Sequence, residues 1–95
     1  MDKLKRMLST YMLAQVVLGT LEECPQGFPE STVYVALGSN YDLSVKLIGM
    51  LRDQAAINVK GNFITKGDKF DAILAQCNKG INDIKQICNK YGVTL

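Results

Sequence analysis

The main indication of the fold is a change of periodicity in the segment LRDQAAINVKGNFITKGD, residues 51–68. Ile57 and Val59 alternate with polar neighbours, which is the pattern of a half-buried strand. A Gly-Asn dipeptide follows, and apolar residues return directly behind it, as in two strands joined by a short turn. The segment therefore predicts a β-hairpin over residues 56–65.

A helix over residues 42–54 is predicted directly before the hairpin. Asn40 or Asp42 can cap its N-terminus, because both side chains accept hydrogen bonds from backbone N–H groups. Gly49 in its middle costs about 1 kcal/mol relative to alanine and indicates close packing or a contact surface. The apolar positions recur at steps of 4, 1 and 3 residues, as expected of a stripe that faces a core: Leu43, Leu47, Ile48 and Leu51.

Two further helices are predicted on the N-terminal side. Apolar residues spaced three and four apart over residues 3–22 predict an amphipathic helix, which Pro25 and Gly27 end. Over residues 30–38, a Val-Tyr-Val run favours a strand by propensity, whereas Pro29 ahead of it suits the first turn of a helix. We predict a short helix there.

The most regular pattern lies behind the hairpin, in residues 66–92. Apolar residues recur there at steps of 4, 3, 4, 3, 4 and 3, which is an a/d heptad seam over three heptads. Thr65 and Asp68 resemble a capping box at the start of this helix, and Gly92 is a natural stop. The seam consists of Phe70, Leu74, Cys77, Ile81, Ile84, Cys88 and Tyr91.

The length of this last helix raises the question of what covers it. A helix of about 26 residues spans roughly 39 Å, which outreaches so small a domain. We therefore expect a homodimer through residues 66–92. The alternative is that the seam folds back against residues 3–22, which carry a partial seam of their own. The candidate dimerisation residues are Leu74, Cys77, Ile81, Ile84, Cys88 and Tyr91.

Composition indicates one ordinary globular domain and argues against an enzyme. The chain has 95 residues, of which 47% are hydrophobic and 21% charged. It has no histidine, no phosphate-binding glycine loop and no C-x-x-C pair among its three cysteines, so we expect no metal, no cofactor and no catalysis. No segment approaches the roughly 20 apolar residues that cross a bilayer. We therefore expect an intracellular, cytoplasmic protein with no membrane partner.

The order of the predicted elements is helix, short helix, turn, helix, hairpin and long helix. Together with LRDQAAI at residues 51–57 and NFITKGD at residues 62–68, this order resembles the winged-helix (winged helix-turn-helix) superfamily, and most of all its small archaeal and bacterial transcriptional regulators. Members commonly have Gly-Leu where this chain has Ala55-Ala56, and one residue more between Thr65 and Lys66.

The resemblance implies a fold that is mainly α with a small β-hairpin. Residues 1–65 would form the winged-helix core, and residues 66–95 would add the long dimerisation helix to the same domain. In that superfamily the third helix enters the major groove of DNA, and the wing contacts the backbone or the minor groove. The candidate DNA-binding residues by position are Ser44, Val45, Lys46, Gly49 and Arg52 on the helix, and Lys60, Asn62 and Lys66 on the hairpin.

The resemblance thus implies a homodimeric transcriptional regulator that binds double-stranded DNA, but the charge balance keeps another function open. The net charge is only +2, from eleven basic and nine acidic residues, whereas nucleic-acid binders usually carry more, and clustered, positive charge. Val45 and Met50 are apolar residues on the reading face, which suit a protein partner as well as the methyl group of thymine. The alternative is a winged-helix protein-protein interaction module without direct DNA binding.

Overall fold

Four helices and three short strands make up residues 2–92, the part of the chain that the computed structural model describes. The helices are α1 (Asp2–Glu23), α2 (Ser31–Ala36), α3 (Tyr41–Asp53) and α4 (Phe70–Tyr91). The strands are β1 (Phe28–Pro29), β2 (Ile57–Lys60) and β3 (Phe63–Lys66). The protein is therefore mainly helical with a small antiparallel sheet, as the sequence predicts.

The sheet has the strand order β1-β3-β2, and both pairings are antiparallel. β2 and β3 form the predicted hairpin, and Gly61 adopts a φ of +61° in its two-residue turn, a conformation that favours glycine. On the other edge, Phe28 of β1 pairs with Ile64 of β3. The Glu30 N–H also donates a 2.8 Å hydrogen bond to the Asn62 carbonyl, so the hairpin tip is fastened to the start of α2.

The short helix predicted between residues 30 and 38 is confirmed, because α2 spans Ser31–Ala36. Pro29, however, does not open this helix but lies in β1, which the sequence analysis did not anticipate. The Val-Tyr-Val run is helical and not extended, and it buries Val33 against the core. Tertiary packing has here overridden the strand propensity of these residues.

The core is formed where α1, α3, α4 and the sheet meet. Each large apolar side chain that is fully buried stabilises the fold by roughly 1.5–3 kcal/mol relative to an exposed position. Among the described residues, no helix is both long enough and apolar enough to cross a membrane. The largest apolar side chains with almost no exposed surface are Leu18, Leu21, Leu51, Ile57 and Ile64.

Helices α1 and α4 pack side by side in antiparallel directions. Tyr11 of α1 lies against Gly80 of α4, because a Cβ at position 80 would come within 2.6 Å of the tyrosine ring. One turn further along α1, the side chain of Gln15 donates a hydrogen bond to Asn78 Oδ1. The later residue of α1 contacts the earlier residue of α4, so the two helices run antiparallel.

This packing covers the heptad seam of α4 within one chain. Continuing the register places Leu4 beside Cys88 and Leu8 beside Ile84, and α1 is the element that α4 contacts most extensively. Ile84 is only 3% exposed. The expectation that α4 needs a second copy to cover its far end is therefore wrong, and residues 3–22 cover it instead. Cys77, Ile81 and Cys88 are likewise buried, Leu74 is half-buried, and Tyr91 is exposed.

Helix α4 begins at Phe70, four residues later than predicted. The capping box of Thr65 and Asp68 does not form, because Thr65 belongs to strand β3. Instead, backbone hydrogen bonds fix the connection, including one of 3.0 Å from the Gly67 N–H to the Ala56 carbonyl. The predicted stop is confirmed at the other end, where Gly92 takes the left-handed conformation at the C-cap.

Candidate nucleic-acid interface on α3 and the hairpin

Helix α3 is held by its cap and by one buried face. Asn40 Oδ1 accepts a 3.1 Å hydrogen bond from the Leu43 N–H, so Asn40 and not Asp42 is the N-cap. Leu47 and Leu51 lie one turn apart and point into the core. Packing of this stripe fixes the rotation of α3 and thereby decides which side chains reach solvent.

Ser44 belongs to the buried stripe, so its assignment as a DNA contact is wrong. It is 0% exposed, and its hydroxyl donates a 2.7 Å hydrogen bond to the Asn40 carbonyl. Position 44 lies three and seven residues before Leu47 and Leu51, which places it on their face of the helix. That spacing was the signal that sequence reasoning overlooked in favour of the polar residue type.

The exposed residues of α3 divide into two flanks. Val45, Gly49 and Arg52 face α2, where they line a groove together with residues of that helix. Lys46 and Met50 line a different groove, which lies between α3 and α1. Val45 and Met50, the two apolar residues that were assigned to one reading face, therefore lie on different flanks.

The first flank forms the α2–α3 groove, which sequence reasoning did not anticipate. The Tyr34 and Tyr41 rings lie 5.6 Å apart, tilted by 42°, and the Tyr34 hydroxyl donates a 3.2 Å hydrogen bond to Glu30 Oε2. Burial, with a further contribution from the Glu30 carboxylate, raises the pKa of the Tyr34 phenol, so Tyr34 stays protonated and able to donate. The groove is lined by Glu30, Tyr34, Tyr41, Val45, Ile48, Gly49 and Arg52.

Aromatic and apolar side chains dominate the exposed surface near this groove. Tyr41 is 66% exposed and Val45 is 44% exposed. Tyr41, Val45 and Gly49 recur every four residues, so they form one stripe of α3. The same spacing in the sequence would have identified Tyr41 as a surface residue of this stripe.

Basic side chains are also exposed on α3. Lys46 reaches solvent on the flank that faces α1. Arg52 Nε lies 3.7 Å from Asp53 Oδ1, and both side chains are more than half exposed. An exposed pair of this kind contributes little to stability, so Arg52 remains available for a phosphate or another anion.

The hairpin presents three of the candidate residues, and all are exposed. Lys60 is the last residue of β2, and Asn62 lies in the turn with its carbonyl already bonded to Glu30. Lys66 ends β3, and its Nζ lies 4.7 Å from the centre of the Phe70 ring, a distance typical of a cation–π contact. Because the turn is fastened to the start of α2 by the Glu30–Asn62 hydrogen bond, the tip of this short hairpin lies against that helix.

The described residues contain no cluster of three or more histidine, cysteine, aspartate or glutamate side chains that could hold a metal ion. The thiols of Cys24, Cys77 and Cys88 are all free. Burial raises the pKa of the Cys77 thiol, which keeps it protonated and a poor nucleophile. The chemistry available on the exposed surface is therefore that of hydrogen bonding, charge and apolar contact.

Comparison of the chain with protein-family models, with curated proteins and with solved structures finds no match.

Proposed function

We propose that this chain is a cytoplasmic winged-helix protein that binds double-stranded DNA and regulates transcription, with α3 as its recognition helix. The order of elements, with α2 and α3 followed directly by a hairpin, supports the winged-helix assignment. Three free thiols are consistent with a reducing compartment.

The observation that carries the proposal is the set of exposed basic side chains on α3 and on the hairpin. Lys46 and Arg52 project from the two flanks of α3, and Lys60 and Lys66 end the two strands of the hairpin. Each can neutralise one phosphate and release its counterions. Tyr41 offers a phenol, and Val45 a branched apolar side chain, to base edges in the major groove.

The charges also set how strong the binding should be. Glu30, Asp42 and Asp53 lie on or next to the same surface, so the positive charge there is diluted. Four phosphate contacts per chain correspond to a slope of about −3.6 in log K against log salt concentration. We therefore expect binding that is measurable at low salt and falls steeply towards physiological salt.

Fluorescence anisotropy with a mixed-sequence genomic duplex tests this proposal. Lys46→Ala and Arg52→Ala should each weaken binding and reduce the salt slope by about one. Lys85→Ala, an equally exposed lysine on α4, is the matched control and should leave both quantities unchanged. No salt-sensitive binding by the wild type, or an equal loss in all three variants, would overturn the proposal.

A second function is favoured by one observation, the exposed apolar residues beside the α2–α3 groove. Tyr41 and Val45 are both exposed and both line this groove, and an exposed apolar patch is typical of a protein-interaction surface. Val45→Asp should then abolish binding to a partner that the wild type and Lys46→Ala both retain. If the wild type and Val45→Asp bind the same partners, the protein-interaction function is excluded.

A further inference from the structure

Helix α1 carries an exposed face that is complementary to itself, and we propose that two copies of the chain pair through it as an antiparallel dimer with two-fold symmetry. This proposal is independent of the DNA-binding function. We call the surface the α1 outer face. It consists of Lys5, Ser9, Met12, Val16, Gly19 and Glu23.

The α1 outer face lies opposite the faces of α1 that pack against α3 and α4. Met12 is 49% exposed and Val16 is 46% exposed, although both are large apolar side chains. Lys5 and Glu23 are separated by eighteen residues, or five full helical turns, so they lie on the same line along the helix as the two apolar residues. The result is an apolar centre with one basic and one acidic end.

The residues of this face are arranged symmetrically about position 14. Met12 and Val16 lie two residues to either side of Ala14, and Lys5 and Glu23 lie nine to either side. A two-fold axis that runs between the two helices at the level of residue 14, perpendicular to both, therefore places Met12 of one copy beside Val16 of the other. The same operation places each Lys5 beside the other copy's Glu23.

The charges select this direction over the parallel one. In a parallel pair, Lys5 would face Lys5 and Glu23 would face Glu23, which is repulsive at both ends. Neither residue forms an ion pair with a side chain of residues 3–92. Both are also unfavourably placed in their own helix, since a base near the N-terminus and an acid at the C-terminus oppose the helix dipole. The antiparallel partner supplies the missing opposite charge at each end.

Small residues flank the apolar centre and allow close approach. Ser9 and Gly19 lie five residues to either side of position 14, so the two-fold axis also pairs them. A Cβ added at Gly19 would meet nothing within 4 Å in its own chain. Packing within the chain therefore does not require glycine at position 19. Alanine there would stabilise the helix, because its helix propensity is higher than that of glycine. A second helix lying close to α1 would require it.

The expected interface is small. Leu13 extends the apolar surface towards the groove between α1 and α3, which Leu43 and Met50 also line. Even with this extension, a pair of single helices lies at the low end of the interface sizes found in specific complexes. We therefore expect a dimer with a dissociation constant in the micromolar range, formed and lost as the protein concentration changes.

Sedimentation velocity of the DNA-free protein, from about 1 μM to 1 mM, tests the dimer without any reference to DNA binding. Wild type should shift from monomer to dimer over this range, and Val16→Asp should raise the dissociation constant at least about 100-fold. Val35→Asp places the same charge at an exposed valine of α2 and should sediment as wild type does. Circular dichroism establishes that both variants are folded. A wild type that stays monomeric, or a Val16→Asp variant that dimerises normally, overturns the proposal.

A charge exchange identifies the antiparallel register itself. Lys5→Glu and Glu23→Lys should each raise the dissociation constant about ten-fold, because each turns two symmetric attractive contacts into repulsive ones. The double variant restores opposite charges across the axis and should return to within about two-fold of wild type. Arg6→Glu also replaces a basic residue by an acidic one, but on another side of α1, and should have little effect on the dissociation constant. If the two single effects simply multiply in the double variant, the proposed register is overturned.

Discussion

Two regions of the molecule are held together in different ways. In the helix pair, formed by α1 and α4, contact is made by side chains, with buried apolar residues along both helices and the Gln15–Asn78 hydrogen bond beside them. In the hairpin unit, formed by α2, α3 and the sheet, backbone groups bond directly across elements, as between Glu30 and Asn62 and between Gly67 and Ala56. We therefore expect the stability of the helix pair to depend on the chemistry of its side chains. The stability of the hairpin unit should depend on the space around its backbone.

The heptad seam of α4 is compatible with two different partners, namely a second copy of the chain or α1 of the same chain. An a/d pattern in α4 records only that one face is covered. The structure shows that α1 of the same chain is the element that α4 contacts most extensively, and Ile84 of the seam is buried. A second copy would consequently have to bind an exposed surface, such as the α1 outer face proposed above, and not the seam.

The largest effect is expected in the helix pair, from Ile84→Asp. Ile84 is buried within one chain, so the new carboxylate would lose its hydration with no partner to compensate it. We expect a loss of at least about 3 kcal/mol in the free energy of unfolding, which is a large part of the roughly 5–15 kcal/mol of a typical domain. Urea denaturation followed by circular dichroism measures this loss.

Ile87→Asp is the control for that experiment, because Ile87 lies one turn further along α4 and is 41% exposed. It should change the free energy of unfolding by less than about 1 kcal/mol. A folded Ile84→Asp monomer with an unchanged unfolding midpoint would show instead that another chain covers the seam.

The next largest effect is expected in the hairpin unit, from Gly67→Ala. A Cβ at position 67 would overlap the backbone of Ala55 and Ile57, and backbone atoms fixed by neighbouring hydrogen bonds cannot move aside cheaply. We expect a destabilisation of about 1–3 kcal/mol. Gly49→Ala, which meets only the end of the Arg52 side chain at 4.0 Å, should instead stabilise α3 by roughly 0.5–1 kcal/mol. Equal unfolding midpoints for the two variants would contradict this view of the hairpin unit.

The smallest effect concerns the cap that orients α3 within the hairpin unit. Asn40→Ala removes the acceptor of the 3.1 Å hydrogen bond from the Leu43 N–H and should destabilise the protein by about 1 kcal/mol. Asp42→Ala removes a carboxylate from the same turn but no capping bond, so its effect should be smaller. Urea denaturation measures both changes. A larger loss in the free energy of unfolding for Asp42→Ala than for Asn40→Ala would contradict the assignment of Asn40 as the N-cap.

The helices and the hairpin could be predicted because their signals lie in the periodicity of single segments. Ile57 and Val59 alternate as a strand requires, and the apolar residues of α4 recur as a helix requires. Strand β1 could not be predicted in this way, since its two residues are too few to show a period. Its pairing depends on Phe63 and Ile64, which lie more than thirty residues further along the chain.

The candidate site was predicted less completely than the fold. Lys46 and Arg52 are exposed as expected, because charged residues rarely enter a core. Ser44 was misplaced because a hydroxyl that bonds locally to the Asn40 carbonyl can be buried at little cost. The groove residues Glu30 and Tyr34 were missed because they come from α2, and sequence spacing does not report contacts between separate elements.

The antiparallel packing of α1 on α4 has a consequence for how the protein is made. Residues 24–69 separate the two helices, and a ribosome needs several seconds to add them at roughly 5–20 residues per second. During that time the hairpin unit can assemble from short-range contacts, whereas the stripe of α1 that includes Leu4 and Leu8 has no cover. The nascent chain therefore passes through an interval in which this stripe is open to a chaperone or to a neighbouring nascent chain, and the interval closes only when α4 emerges.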